Sequence, residues 1–439
     1  MYTTNSPASA VEALETFEEA RSFFDQNSPS ATVTEMPVRV IAFDSERAFR
    51  PYSPNPGAVA FYQRGHRRDY IVMRDFGPGS YQTAVHEYTH LYIEHRNLHL
   101  PVWLNEGLAD VYSTIHSQGD RLVIGSPPPS RLQALRSLPL LDLRLVMTVD
   151  QNSPYYRDPR LMRQFYSESW ALAHMLLLGS EYQKNFRNFI REVNSGIGGE
   201  QSFRDVYGKS LRDVALDLRS YLVQGMTLSS FDSRLNQTDV PRVSASVAEE
   251  TEIMLADLLA THPETAAEAH ARLIALAANS PNNPDVQKSL GYLAWQQGKV
   301  DEAKEHFGEA LEQGSDDSLM MYQYATLLEA GGAPSKQVLD LLERALALNP
   351  QLSDARYTLG LIAASQNQCT LAVSTLSPLK TITVDRAFPL YTALTYCDIQ
   401  LGDVRNAHHW GELARRYAHT QQQSSTIDHL MQNLDHAGQ

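Results

Sequence analysis

The chain has 439 residues, too many for one ordinary hydrophobic core, and this length predicts two or three domains. Hydrophobic residues make up 43% and charged residues 20%, a composition that excludes a disordered chain. The net charge of −14 argues against nucleic acid and anionic membrane surfaces as partners, because both attract basic proteins. The sequence also lacks any apolar run of about eighteen residues, so we expect no transmembrane segment.

The first twenty residues contain neither a basic segment nor the apolar segment of a secretory signal. The chain as given therefore predicts no signal peptide. A signal removed before residue 1 would leave the same pattern, so two compartments stay open. The protein is periplasmic or secreted if a signal was removed, and cytoplasmic otherwise.

Apolar residues at helical spacing predict an opening amphipathic helix over residues 9–25. Three short runs rich in β-branched and aromatic residues follow at 38–43, 58–62 and 70–73. Proline and glycine separate these runs, as is usual between neighbouring strands. They predict a small twisted sheet of three or more strands.

The next two predicted helices carry the most informative residues of the chain. The first, over 81–96, contains the sequence HEYTH at 86–90, whose two histidines are one helical turn apart and face the same way. The second begins near a proline, which suits a first turn, and runs over about 101–116. It brings Glu106 back across the first helix.

The rest of the first domain is predicted to be mainly helical. Residues 119–130 form an irregular segment that includes a strand at Arg121–Ile124. Three helical stretches complete a domain that spans 1–225, and they lie near 158–178, 181–194 and 208–224. Residues 226–248 are polar and lack strong periodicity, which predicts a linker.

From about residue 249 to 439, a pattern of about 34 residues repeats. Pairs with a small residue recur at this period: Leu290-Gly291, Tyr324-Ala325, Leu359-Gly360 and Ala393-Leu394. The pattern resembles the tetratricopeptide repeat, in which the small residue lets the second helix of each pair pack closely. Residues 249–283 predict a degenerate first repeat. Four to five helix pairs would form an all-α solenoid whose concave face binds a protein.

The chain has two cysteines, Cys369 and Cys397, which are too few for a disulfide scaffold or a second zinc site. They lie in adjacent repeats and could pair in an exported protein. Otherwise two buried free thiols are expected.

Two imidazoles and a carboxylate at the observed spacing are typical of a site that binds one Zn²⁺ and leaves one position open for water. His86 and His90 would supply neutral nitrogen ligands, and Glu106 an anionic oxygen. Glu87 points elsewhere on the helix and would act as general base on a zinc-bound water. Asp110 follows Glu106 by one turn and would accept an N–H from a ligand imidazole, most directly that of His86.

The HEYTH helix followed by WLNEGLAD at 103–110 resembles the gluzincin branch of zinc metallopeptidases. Within that branch the likeness is to peptidase MA-like domains, and it covers roughly residues 35–180. The metzincin pattern requires Gly and His where this chain has Ile93 and Arg96, so that branch is excluded. The resemblance implies an α+β zincin-like fold.

The resemblance also implies a downstream hydrogen-bond donor to the oxyanion of the tetrahedral intermediate. The segment FYSESWA at 165–171 carries Tyr166 in this role. His174, two turns further along, is the substitute candidate. Tyr155 and Tyr156 are weaker candidates.

These residues predict a zinc-dependent peptidase whose repeat domain recruits a substrate or partner protein. The absence of a G-x-M-E-N motif before the metal helix favours an endopeptidase. Two alternatives remain open. In one, the chain is a tetratricopeptide adaptor with a vestigial metal site. In the other, the site hydrolyses a non-peptide amide or ester.

Overall fold

The structure is a computed structural model that describes residues 1–4, 6–27, 38–54, 57–65, 68–96, 98–118, 121–232, 244–379 and 382–437. The chain divides into two compact units, Met1–Ser246 and Val247–Gln439. Within the described residues, no helix has the length and apolar character needed to cross a membrane.

The first unit contains two small sheets. Its described strands are β1 (Tyr2–Thr3), β2 (Val38–Ala42), β3 (Ala60–Gln63), β4 (Asp69–Met73), β5 (His116–Gln118), β6 (Arg121–Ile124) and β7 (Ser229–Asp232). The larger sheet has the order β1-β2-β4-β3, in which only β3 runs antiparallel to its neighbour. β5, β6 and β7 form an antiparallel sheet.

The predicted strands all occur, but three described strands were not predicted. β2, β3 and β4 occur within two residues of the predicted runs, and β6 occurs where a strand was expected. β1 and β5 have two and three residues, too few for a readable alternation, and β7 lies in a segment whose polar composition predicted a linker. β7 lies inside the predicted linker 226–248, and its pairing with β6 makes it part of the first unit. Residues 233–243 of that linker lie outside the described part of the chain.

The helices of the first unit are α1 (Pro7–Asn27), α2 (Glu46–Phe49), α3 (Pro78–His95), α4 (Val102–Tyr112), α5 (Pro129–Ser137), α6 (Leu143–Thr148), α7 (Pro154–Arg157), α8 (Pro159–Leu178), α9 (Phe186–Asn194), α10 (Gly199–Tyr207) and α11 (Leu211–Gln224). Proline stands in the first turn of α3, α5, α7 and α8, where its missing N–H costs no hydrogen bond. α4 ends at Tyr112, four residues before the predicted end, because the chain turns into β5. The short helices α2, α5, α6, α7 and α10 were not predicted.

Helix α4 packs closely against α8, and a glycine makes this possible. A Cβ atom on Gly107 would lie 2.3 Å from the backbone oxygen of Ser169. Trp103 and Trp170 are fully buried on the same two helices. The close approach therefore fixes α4 in the core and determines where its two buried carboxylates, Glu106 and Asp110, lie.

Glu168 on α8 is also buried, and this predicts a pH-dependent stability. Its Oε2 accepts a hydrogen bond from the Leu141 N–H at 2.7 Å, whereas its Oε1 has no partner among the described residues. Burial raises the pKa of Glu168 from its ordinary value of 4.5 to about 7. The folded state then binds more protons than the unfolded state between these two values, so its stability falls as the pH rises through that window.

We expect Glu168→Gln to remove this dependence, because the amide oxygen keeps the bond to Leu141 without a charge. The free energy of unfolding of the variant should exceed that of the natural chain by a difference that grows towards about 3 kcal/mol above pH 7. Denaturant titrations at pH 5, 6, 7 and 8 measure it. Parallel pH profiles for the two chains would show that the carboxyl titrates normally.

The second unit consists of helices in its described residues. They are α12 (Ala248–Ala260), α13 (Ala266–Asn279), α14 (Pro284–Gln296), α15 (Val300–Glu312), α16 (Ser318–Ala330), α17 (Ser335–Leu348), α18 (Ser353–Ser365), α19 (Cys369–Leu376), α20 (Val384–Leu401), α21 (Val404–Arg416) and α22 (Gln421–Ala437). Successive helices pack in pairs, and α12 with α13 forms the degenerate first pair.

Small residues at the repeated position allow this pairing. A Cβ on Gly291 would lie 2.5 Å from the Phe307 ring, and one on Gly360 would lie 2.3 Å from Leu376. The structure thus explains why the sequence repeats a small residue there. Cys369 and Cys397 are both buried free thiols, and no disulfide bond joins them.

Candidate metal centre

Three potential metal ligands from α3 and α4 converge at one point. His86 and His90 are one turn apart on α3, and their Nε2 atoms are 3.1 Å from each other. The Glu106 Oε2 atom from α4 lies 3.3 Å from His86 Nε2 and 3.6 Å from His90 Nε2. Among the described residues, these three form the cluster of His, Cys, Asp and Glu side chains that could hold a metal ion.

The triangle of donor atoms has the size that a zinc site needs. Zinc bonds of about 2.0–2.1 Å to nitrogen and oxygen put the ligands of a tetrahedral site about 3.3 Å apart. The three measured separations bracket that value. Two imidazoles with one carboxylate are also a donor set that suits zinc. The residues present therefore fit a zinc ion.

The outer atoms of all three side chains are held by neighbours. His86 Nδ1 lies 3.1 Å from Asp110 Oδ1, and His90 Nδ1 lies 3.1 Å from Asn105 Oδ1. The Tyr156 hydroxyl donates to Glu106 Oε1 at 3.0 Å. An Nδ1–H that donates outward leaves the Nε2 lone pair facing the triangle, so these contacts orient the potential ligands.

The electrostatics of the cluster favour a cation. Burial lowers the pKa of His86, but hydrogen bonds to Asp110 and Glu106 and their charges outweigh it and raise this pKa to about 10. Burial works to raise the pKa of Glu106, yet hydrogen bonds from His86 and His90 hold it well below its usual range. Although burial works to raise it, the pKa of Asp110 is lowered as well, chiefly by its hydrogen bond with His86, so both carboxylates are ionised in a buried site. Positive charge at the triangle, either a proton on His86 or a metal ion in its place, stabilises them.

Glu87 lies beside this triangle, and not in it. Burial raises the pKa of its carboxyl, while the charges of His86 and His90 oppose that effect. Its carboxylate accepts a hydrogen bond from the Tyr62 backbone N–H of β3. A carboxylate with a raised pKa is a better proton acceptor, which is the property that a general base needs.

The structure brings Tyr156, and not Tyr166, into direct contact with the potential ligands. Tyr166 lies behind it, with ring centroids 6.1 Å apart and planes at 20°. The hydroxyls are hydrogen-bonded to each other. Because the Tyr156 proton points to Glu106, Tyr166 is the donor within the pair. Sequence reasoning ranked Tyr156 lower because the family resemblance pointed to the FYSESWA segment, which carries Tyr166.

His174 does not reach the cluster, so its selection as a substitute oxyanion donor was wrong. It is fully buried, with Nδ1 2.8 Å from the Tyr221 hydroxyl and Nε2 2.9 Å from the Gly125 carbonyl oxygen. Eight residues along a helix advance the chain by about 12 Å, which separates His174 from Tyr166. The histidine side chain instead forms part of the buried interior of the first unit.

Sequence reasoning also missed Asn105 and Arg131. Asn105 precedes Glu106 in the WLNEGLAD segment, so its position next to a ligand was a usable signal. Arg131 donates from Nε to Asp110 Oδ2 at 2.7 Å. Arg131 lies about twenty residues after the end of α4, and no motif or periodicity in the sequence indicated that it would reach the site.

Comparisons with known proteins bear on the second unit. A family model described as tetratricopeptide repeat matches residues 264–318 and 288–353. No curated protein matches the chain in sequence. The matched residues contain α13 to α17, so α12 and α18 to α22 are assigned by packing and not by that match.

Several solved structures align with about two fifths of the chain. YrrB, described as a tetratricopeptide-repeat protein with an unusual peptide-binding site, is 18% identical, and the alignment covers 42% of this chain and 99% of that chain with a TM-score of 0.35. A tetratricopeptide repeat protein from Parabacteroides merdae is 16% identical, with 42% and 73% covered and a TM-score of 0.32. PilF of Pseudomonas aeruginosa is 16% identical, with 43% and 85% covered and a TM-score of 0.32.

Likenesses of this size carry no argument about function. The helix pairs, the small residues between them and the family match agree with one another. The C-terminal unit of this chain therefore contains tetratricopeptide repeats.

Proposed function

We propose that the first unit is a zinc-dependent peptidase of the gluzincin type, with a zincin-like α+β fold. The observation that carries this proposal is the triangle of His86, His90 and Glu106 donor atoms at 3.1, 3.3 and 3.6 Å. The likeness of HEYTH and WLNEGLAD to peptidase MA-like domains supports the same reading. His86, His90 and Glu106 hold the zinc ion.

Each neighbouring side chain has a task in peptide hydrolysis. When bound, Zn²⁺ supplies a Lewis acid that acidifies water and polarises a carbonyl. Glu87 takes a proton from the attacking water as the new C–O bond forms, and delivers it to the amine nitrogen as the C–N bond breaks. Asp110 and Asn105 hold the two imidazoles in orientation.

The tyrosine pair is the candidate for stabilising the oxyanion. Burial raises the pKa of Tyr156 to about 12, so its hydroxyl stays protonated. Its one proton donates to Glu106 Oε1 in the structure and would have to turn to the oxyanion in the transition state, while Tyr166 donates to Tyr156 and supports its position. A hydrogen bond to the oxyanion is worth a few kcal/mol, about 3 kcal/mol in typical cases. The proposal therefore extends the oxyanion role from Tyr166 to the pair.

The direct test combines zinc content with cleavage of a broad peptide library by the purified full chain. We expect one zinc per chain and cleavage at internal peptide bonds, as for an endopeptidase. Cleavage of esters or non-peptide amides, without any peptide product, would support the hydrolase alternative. A chain that neither retains nor rebinds zinc would refute the proposal.

We further propose that the repeat unit binds a protein, either the substrate or a partner. The tetratricopeptide match supports this, because stacked helix pairs form grooves that bind extended or helical segments. The same match also favours the adaptor alternative, in which the repeats are the function and the metal site is vestigial.

Truncation separates these roles. We expect residues 1–246 alone to cleave a short model peptide with unchanged kcat/KM, and the native protein substrate with a raised KM, because the recruiting surface is lost. Both chains are assayed on both substrates. An unchanged KM for the native substrate would contradict recruitment by the repeats. The adaptor would be favoured if truncation abolished the biological effect of the protein in cells while the Glu87→Gln substitution in the full chain left that effect unchanged.

A further inference from the structure

Arg131 lies where two parts of the candidate metal centre meet. Its Nε donates to Asp110 Oδ2 at 2.7 Å, and its guanidinium carbon lies 5.3 Å from the centroid of the Tyr166 ring. It is the α5 residue that reaches the site, and its side chain is 23% exposed. One planar group thus contacts a carboxylate with its edge and an aromatic ring with its face.

Through these contacts Arg131 is connected to the potential metal ligands on two sides. On one side, Asp110 uses its second oxygen to hold His86 Nδ1 at 3.1 Å. On the other, Tyr166 stacks on Tyr156, whose hydroxyl holds Glu106 Oε1 at 3.0 Å. Arg131 contacts both sides, through Asp110 on one and Tyr166 on the other.

The charges of the site give a second reason for a cation at this position. Glu87, Glu106 and Asp110 are carboxylates, and the imidazoles of metal ligands are neutral. A divalent ion would leave one negative charge uncompensated in a largely buried site. The guanidinium of Arg131 neutralises it, and its contact with Asp110 is shielded because that side chain is only 10% exposed.

We propose that Arg131 is a positioning residue that sets the zinc affinity of this centre, by fixing Asp110 against His86 and the tyrosine pair against Glu106. The inference rests on the proposed zinc site. Arginine makes both contacts with one planar group, whereas the ammonium group of a lysine would keep the charge beside Asp110 and lose the stacked fit over the Tyr166 ring.

The test measures zinc affinity of the full chain by competition with a chromophoric chelator. Arg131→Met keeps the unbranched stem of the side chain and removes the guanidinium group with its charge, and we expect it to weaken zinc binding about tenfold. Arg131→Lys should restore most of the affinity, because its charge still neutralises Asp110. Arg136→Met, an exposed residue on the same helix, is the matched control and should bind zinc as the natural chain does.

A double-mutant cycle shows whether Arg131 acts through Asp110. If it does, Arg131→Met combined with Asp110→Asn weakens zinc binding no more than the larger single change. Circular dichroism establishes that each variant is folded, and the absorption spectrum of the cobalt-substituted chain reports the ligand geometry, which should change in Arg131→Met.

Equal zinc affinity and an unchanged cobalt spectrum in folded Arg131→Met would overturn the inference and leave the zinc site intact. Additive losses in the cycle, or a lysine variant as weak as the methionine variant, would overturn it as well. Failure of the natural chain to bind zinc would overturn both this inference and the proposed function.

Discussion

Glu87→Gln should lower kcat for peptide cleavage by about 10²–10⁴-fold, the usual contribution of a positioned general acid–base group. The amide has the shape of the carboxylate but cannot accept the proton of the attacking water. Zinc content should not change, because Glu87 is outside the triangle formed by His86, His90 and Glu106. Single-turnover cleavage of a peptide identified from the library, together with metal analysis of the same sample, measures both quantities.

Glu94→Gln is the matched control for that substitution. Glu94 lies on the same helix, but its side chain is 47% exposed and pairs with Arg64 on the surface. Exposed pairs of this kind contribute little, so kcat should stay at the level of the natural chain. Equal activity of both variants would exclude the peptidase mechanism. An adaptor whose metal site is vestigial would behave in that way.

Zinc should stabilise the first unit strongly, and Glu106→Gln should abolish most of the effect. A ligand that binds only the folded state adds about 4 kcal/mol to the free energy of unfolding when its free concentration is a thousandfold above Kd. Gln preserves the volume of Glu106 and keeps an oxygen that can accept from the Tyr156 hydroxyl, but it removes the anionic ligand. Calorimetry in zinc-buffered and chelator-treated solutions measures the shift of the transition.

Glu87→Gln serves as the reference in this experiment. It changes a carboxylate beside the triangle, so its zinc-dependent shift should equal that of the natural chain. The two variants are thus expected to separate chemistry from binding. Glu87→Gln loses turnover but keeps its zinc, whereas Glu106→Gln loses the zinc itself. The same zinc-dependent shift in Glu106→Gln would show that zinc binds elsewhere.

Periodicity located the long elements of the fold and failed for the short ones. α1, α3 and α8 span several turns, so their apolar spacing is readable, and each boundary was placed within three residues. α7 has four residues, about one helical turn, which is less than the helical pattern needs. β7 lies in a polar segment that was predicted to be a linker. Yet α7 carries Tyr156, so the omission affected the site as well as the fold.

The sequence by itself determined which side chains can form the metal triangle and that the C-terminal unit repeats. A spacing of four residues puts His86 and His90 on one face of any helix, and the 34-residue period puts Gly291, Ala325 and Gly360 at equivalent places in successive helix pairs. These are local relations, and backbone geometry alone enforces them. They hold whatever surrounds the helices.

Only the tertiary structure decided what surrounds the triangle. Tyr156, Asn105 and Arg131 reach it from separate elements, and His174 on the well-predicted helix α8 does not. The close approach of α4 to α8 at Gly107 and the docking of α5 and α7 fix those positions. Such contacts join residues far apart in the chain, and no spacing in the sequence encodes the distance between them.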